Sequence, residues 1–314
     1  MKGAKLVALG SGTGIALGDN YSQEGRVVHD SHAEIVARRS LLRWLYSQID
    51  CANQDESLVI SNPSKNSTKE GENLPYLLKP FELWLYISLA PCGDGAIYSR
   101  TDITKGSTTT RGGRFRIKAE CSKGMGSATS QNYQRYDITF DGLQRGDRAL
   151  CHSCSDKIAK WNALGVQGAL LSRLVPPIYL TGVVVSDCFH HENLARALFC
   201  RTEKVFENSE ASILPEPFSL HHPHIREATI PSTTRHEKIQ KKAHGSINWA
   251  AGDNISEVVN HSTGRCENGG ASSRICKRAL LVRFRQIQPD SIALSYTSNK
   301  ALAVAYQKAK HCWL

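Results

Sequence analysis

Residues 82–95 read Glu-Leu-Trp-Leu-Tyr-Ile-Ser-Leu-Ala-Pro-Cys-Gly-Asp-Gly, an apolar run that stops at a proline and then a cysteine. The run Glu82 to Leu89 is short and built of aromatic and aliphatic side chains, which predicts a buried strand that delivers Cys92 at its carboxyl end. Toward the N-terminus, His32-Ala33-Glu34 opens a stretch, 33–49, in which Ile35, Val36, Leu41, Leu42, Leu45 and Ile49 keep helical rather than alternating spacing. Toward the C-terminus, Cys151-His152-Ser153-Cys154 leads into a second helical stretch, 154–174. Residues 177–185, Pro-Ile-Tyr-Leu-Thr-Gly-Val-Val-Val, then read as a second buried strand. Strands that feed helices in this way predict an α/β layered domain.

The segments between these elements are polar. Residues 50–76 read as a surface loop, and 99–135, rich in Ser, Thr, Gly and Arg, as a long loop of the kind compact domains keep for function. A further helix is expected over 193–201. Residues 206–246, with several prolines and a basic run from Arg235 to Lys242, read as a connection. The last block carries a segment 247–259, a glycine-rich turn at 268–270, and helices near 272–285 and 297–311.

With 314 residues, 40% hydrophobic and 22% charged, the chain has enough apolar material for a sizeable core and is excluded from the disordered class. No stretch approaches the roughly 18 consecutive apolar residues of a membrane span, and residues 1–14 carry no secretory apolar run. An intracellular protein that does not enter membranes is therefore expected. In that compartment the ten irregularly spaced cysteines are expected to be reduced, the clustered ones serving as metal ligands. The formal net charge of +10 favours a polyanionic partner, because neutralising phosphates releases counterions.

His32, Glu34 and Cys92 fit one chemistry. A zinc-dependent base deaminase needs three nitrogen or sulfur ligands and an open fourth position, together with a carboxylate that is not itself a ligand. His32 and Glu34 supply the imidazole and the carboxylate from one helix start, and Cys92 supplies a thiolate from the next. In the usual pattern a second cysteine follows three residues later, but Gly95 stands there, so either Cys151 or Cys154 must provide it. A purely structural zinc module using both is the competing reading, since structural sites are closed by a fourth protein ligand.

Beyond these residues, the strings HDSHAEIVARRSLLRWLY (29–46), LYISLAPCGDGAIYS (85–99) and SCSDKIAKWNALGVQGALLS (153–172) resemble the deaminase domain of the adenosine deaminases acting on RNA. So do INWAAGDNISEVVNHSTGR (247–265), SRICKRALL (273–281) and AYQKAK (305–310). The resemblance spans 1–314 in order. It implies a cytidine-deaminase-like layered core, a mixed sheet flanked by helices, with a C-terminal helical extension. It also implies zinc on His32, Cys92 and Cys154, with Glu34 moving protons as adenosine in double-stranded or structured RNA is hydrolysed to inosine. The reacting base has to leave the duplex first. Thr13 matches a residue near the flipped ribose, Arg148 one on the RNA backbone, and Met125 one that fills the gap left by the base.

The resemblance further implies a buried inositol hexakisphosphate enclosed by Arg38, Arg39, Lys157, Lys160, Trp161, Lys277, Tyr296, Lys300, Tyr306 and Lys310. A polar link from it toward zinc runs through Asp30 and Lys157. Burying so many cations is prohibitive unless a polyanion compensates them. The resemblance and its substrate also imply residence in the nucleus, with the cytoplasm as a second location.

Several positions depart from the family. Met125 stands where the family has a glutamate, Ala96 where it has an arginine, and His29 where it has an asparagine. Both ends are shorter than the family's domain, and no double-stranded-RNA-binding domain accompanies it. Residues 19–30 resemble the testis-type branch, whose members bind RNA without deaminating it. An RNA-binding member with weak or no catalysis is thus the alternative, and a tRNA adenosine deaminase, which shares the core, is another.

Overall fold

The computed structural model describes residues 3–16, 22–63, 75–96, 116–120, 137–138, 147–203, 214–229, 245–292 and 294–313. One long helix, α1 (Ala33–Ala52), runs through the middle of the molecule. It buries Ile35, Leu41, Leu42, Trp44, Leu45, Tyr46 and Ile49 in the main core, so its apolar stripe is wider than a surface helix requires. On one side it packs against an antiparallel sheet whose strand order is β1 (Ala8–Gly10), β12 (Gly245–Ala250), β13 (Glu257–Asn260) and β14 (Arg265–Cys266). The crossing is close: a Cβ on Gly10 would lie 2.2 Å from the Ala37 backbone nitrogen, so only glycine lets β1 meet the helix here.

The same core takes in a parallel sheet, with β10 (Gly182–Asp187) between β6 (Trp84–Leu89) and β11 (His224–Glu227). Ile87, Val183 and Val185 point from it into the cluster that holds α1. A short hairpin of β2 (Thr13–Ile15) and β3 (Asp30–His32) feeds straight into α1. Residues Ile60–Ser61 and Leu77–Leu78 pair as β4 and β5, while β7 (Arg116–Glu120), β8 (Asp137–Ile138) and β9 (Asp147–His152) form a further small sheet. The α/β class is as expected, with the strands divided among several sheets.

On the C-terminal side of β9, α2 (Cys154–Leu164) and the single turn α3 (Gly168–Leu171) replace the continuous helix expected over 154–174. The break falls at Gly165, φ 73°, where a Cβ would overlap the Gln167 side chain. Gln167 spans the break: its amide donates to the Leu164 carbonyl at 2.8 Å and its oxygen accepts from the Ile178 N–H at 2.9 Å. The helix α4 (His191–Ala195) continues into a π turn, Arg196–Cys200. The C-terminal extension consists of α5 (Lys277–Ile287), α6 (Tyr296–Ala301) and α7 (Val304–Trp313), so the helix expected over 297–311 is two. Residues 247–259 are a strand pair rather than one element. The strand β11 lies inside the segment read as a connection, and Ser57, Val59 and Ile60 are buried inside the one read as a surface loop.

Candidate active site

His32 ends β3 and is the residue before the first turn of α1, with an extended backbone (φ −64°, ψ 143°) that lets its ring point away from the helix. The N-terminus of α1 is closed by backbone, the Ala33 N–H donating to the Gly12 carbonyl at 2.9 Å. Gly12 has φ 135°, and a Cβ there would lie 2.2 Å from the Ser31 carbonyl oxygen. Asp30 fixes the same corner by accepting from the His32 N–H at 3.0 Å. Cys92 follows the end of β6, and Cys154 is the first residue of α2.

These three side chains converge. Their donor atoms all lie within 4.8 Å of one another, the one such His/Cys/Asp/Glu group among the described residues. Nδ1 of His32 lies 3.8 Å from Cys92 Sγ and 3.6 Å from Cys154 Sγ. Tetrahedral zinc, with bonds near 2.3 Å to sulfur and 2.0–2.1 Å to nitrogen, calls for edges of roughly 3.6–3.8 Å between ligand atoms. Both edges from His32 match, so the set suits zinc bound through Nδ1 of the histidine. Glu34, buried in the first turn of α1, places Oε2 3.3 Å from Cys154 Sγ, next to the three donors but outside their number.

The loop bearing Cys92 is clasped by the start of α2. The Cys154 N–H donates to Cys92 Sγ at 3.3 Å and the Ser155 N–H to the Cys92 carbonyl at 3.0 Å. The Ser155 hydroxyl donates to the Pro91 carbonyl at 3.1 Å and accepts from the Gly95 N–H at 3.0 Å. Backbone donors at a helix start favour the thiolate over the thiol. Gly93, φ 98°, is where the two segments touch, since a Cβ would lie 2.4 Å from Ser153 Oγ. Ser153 caps α2 reciprocally with Asp156, accepting from its N–H at 3.1 Å and donating to its Oδ2 at 2.7 Å.

A cavity of about 200 Å³ opens further along α1, between it, α2 and the C-terminal helices. Arg38, Arg39, Lys160, Lys300 and Lys310 line it together with Tyr46, Tyr296, Tyr306 and Gln167, and none of the described lining residues is acidic. Burial and the charges of Lys310, Lys300, Arg38 and Lys157 push Lys160 down to about 7. Burial likewise lowers Arg38, Lys300 and Lys277, each with neighbouring cations acting in the same direction, and burial raises the Tyr306 phenol. Nε of Arg38 is buried with no hydrogen-bond partner among the described residues, and its guanidinium sits 5.3 Å above the Trp161 ring. A wider depression of about 420 Å³, lined by Ala52, Asp55 and Lys79 among others, carries neither a metal-ligand group nor a cationic cluster.

The family description "Adenosine-deaminase (editase) domain" matches residues 8–314. The chain belongs to that family. The double-stranded RNA-specific editase Adar of Drosophila melanogaster is 36% identical to this editase domain over 319 residues, covering 98% of the chain and 45% of the fly protein. The double-stranded RNA-specific adenosine deaminase of Mus musculus is 33% identical over 331 residues, covering 98% of the chain and 27% of its own length. The tRNA-specific adenosine deaminase 1 of Drosophila melanogaster is 31% identical over 217 residues, 64% of the chain and 50% of that protein. The editase domain thus spans half or less of the length of these curated relatives.

The structure brings His32, Glu34, Cys92 and Cys154 together and leaves Cys151 out of the ligand group. Cys151 instead donates to Asp30 Oδ2 at 3.1 Å and accepts from Lys157 Nζ at 2.8 Å, and Lys157 pairs with Asp30. Asp30 thereby connects the His32 backbone to a lysine on α2. Arg38, Arg39, Lys160, Tyr296, Lys300, Tyr306 and Lys310 line the cavity, whereas Lys157, Trp161 and Lys277 do not. Thr13 is exposed directly across the β2–β3 pair from His32. Arg148 lies in β9 opposite Ala119, Met125 lies outside the described residues, and Ala96 packs against the core where an arginine was expected. His29 is half-buried, its carbonyl accepting from the Ala16 N–H at 2.8 Å. Tyr46 and Gln167 went unnoticed in the sequence. Tyr46 was legible, two helical turns beyond Arg38 and Arg39 on the same face.

Proposed function

We propose that this editase domain hydrolyses adenosine to inosine in double-stranded or structured RNA, with zinc held by His32, Cys92 and Cys154. The observation that carries the reading is the placement of Glu34 beside, and not within, a three-ligand group whose spacing suits tetrahedral zinc. A structural site would be closed by a fourth protein ligand, and Cys151 is engaged by Asp30 and Lys157 instead. When bound, zinc supplies the Lewis acidity that brings the pKa of a water molecule toward neutrality.

The proton work falls to Glu34. It accepts one proton of the attacking water and delivers it to N1 of adenine as C6 becomes tetrahedral, then takes the remaining proton of the new C6 hydroxyl and passes it to the amino group as ammonia leaves and the C6 carbonyl forms. Water and adenosine are consumed and inosine and ammonia released, with no change of oxidation state. The exposed position of Thr13 across from His32 suits contact with the ribose of an extruded nucleotide.

The cationic cavity is read as a site for inositol hexakisphosphate. Arg38, Arg39, Lys160, Lys300 and Lys310 would hold its phosphates, which provide the counter-charge these buried groups lack among the described residues. Its role is structural: it lets α1, α2 and the C-terminal helices pack around charges that otherwise repel.

The substrate is read as duplex RNA because relatives 33–36% identical over 98% of the chain are named for double-stranded RNA, whereas a tRNA-specific relative covering 97% of it is 24% identical. Incubating the zinc-loaded protein with a long RNA duplex and, separately, with a tRNA tests this, with inosine mapped in each. Inosine in the duplex supports the reading. Inosine confined to the tRNA moves the assignment to the tRNA branch, and tight RNA binding without inosine moves it to the non-catalytic alternative.

A further inference from the structure

The geometry points to Arg201 as a positioning residue that sets the separation of the two cysteine ligands, an inference that rests on the zinc reading above. Arg201 follows the π turn Arg196–Cys200 and is only 6% exposed, although a guanidinium is among the costliest groups to bury. Its Nη1 lies 3.7 Å from Asp94 Oδ2, and its Nη2 pairs with Asp156 Oδ1. The Nε–H donates to the Ala197 carbonyl at 2.9 Å, which fixes the side chain to its own turn.

The two carboxylates are what give the contact meaning. Asp94 stands two residues after Cys92 and Asp156 two residues after Cys154, and each is at most 3% exposed. They belong to different segments, the loop after β6 and the first turn of α2. Those are the segments that place the two sulfurs. Without a cation between them, two buried carboxylates would repel and drive the segments apart. With Arg201 between them, the same charges draw the loop and the helix onto one guanidinium. Both contacts are ion pairs, and the two ends of a guanidinium reach both carboxylates at once where the single ammonium of a lysine is one point charge.

Neighbouring contacts show that the clamp is continuous with the ligands. Asp156 is bound to the Ser153 hydroxyl, one residue from Cys154, and Arg196 from the same π turn donates to the Asp94 carbonyl at 3.3 Å. A chain of polar contacts therefore runs from each sulfur-bearing segment to a single side chain more than forty residues away in sequence. Partners of this outer kind are worth about 10–100-fold in metal affinity when removed.

The test compares metal binding and folding in the full chain, for the parent, Arg201→Met, Arg201→Lys and a control, Leu198→Ala. Leu198 is fully buried in the same turn and its side chain packs in the main apolar core. Zinc affinity is measured by chelator competition and corrected for the folded fraction by circular dichroism. Ligand geometry is read from the visible spectrum of the cobalt-substituted protein. The expected result is a loss of zinc affinity of about 10–100-fold and an altered cobalt spectrum in Arg201→Met, a smaller loss in Arg201→Lys, and parental values in Leu198→Ala. If Arg201→Met does not fold, Arg201→Lys decides by the same two readouts. Parental affinity and spectrum in the folded Arg201 variants overturn the clamp, and so does an equal loss in Leu198→Ala. A parent that binds no zinc instead overturns the zinc reading on which the inference rests.

Discussion

Replacing Lys160 with methionine should stabilise the protein when no polyanion is present and weaken polyanion binding at the same time. Lys160 sits in a cavity with Arg38, Lys300 and Lys310, and burial together with these charges and Lys157 lowers it from an ordinary value near 10.5 to about 7. At about 1.4 kcal/mol per pH unit, a protonated Lys160 costs the anion-free fold about 5 kcal/mol, an upper figure because the cavity admits water. Because the folded-state pKa is depressed, the unfolded chain binds more protons between pH 7 and 10.5. Stability of the anion-free parent should therefore rise across that window, and the full cost should be present at and below pH 7. The variant lacks this contribution, so its advantage should be largest at pH 7 and shrink toward pH 10. Bound inositol hexakisphosphate should reverse the ranking, because phosphates restore the lysine's charge and the methionine cannot meet them. Urea unfolding of zinc-loaded parent and variant, refolded with and without inositol hexakisphosphate, at pH 7 and 9.5, reads all eight stabilities. A variant less stable than the parent at pH 7 without the anion would refute the argument, as would an advantage that grows with pH.

Two further changes probe the metal site. Gly93→Ala should cost about 1–3 kcal/mol, since the backbone is held at φ 98° and the new methyl would meet Ser153 Oγ; thermal unfolding and zinc content measured on the same sample should fall together. Cys154→Ser should abolish stoichiometric zinc while Cys151→Ser retains it, by elemental analysis of the purified proteins. The reverse ranking would mean that the ligand group has been assigned to the wrong cysteine.

The sequence and the structure agree where one local pattern decides the outcome. The apolar run at 82–89 and the helical spacing after His32 and after Cys154 each predicted an element, and the three candidate donors sit at the ends of those elements. Failures occur where tertiary contacts override local pattern. Gln167 satisfies the backbone across the break at Gly165, so a periodic stretch that reads as one helix becomes two. The strand β11 is formed by pairing with β10, and nothing in His224–Glu227 alternates strongly enough to announce it. Periodicity cannot show that Arg201 reaches Asp94 and Asp156, because a buried charge is recognisable only when its partners are. The choice between Cys151 and Cys154 was open from spacing alone. In the structure Cys154 stands at a helix start facing His32, and Cys151 is turned toward Asp30.

The most direct test of the central claim is inosine formation in a long RNA duplex by the parent and by Glu34→Gln, both shown to be folded, zinc-loaded and RNA-bound. Glutamine keeps the size of the side chain and removes its ability to accept and return a proton. The parent should convert adenosine to inosine, and the variant should lose about 10²–10⁴-fold in rate with its zinc and RNA affinity intact. A zinc-loaded parent that forms no inosine, or a variant that forms it as fast as the parent, would contradict the account.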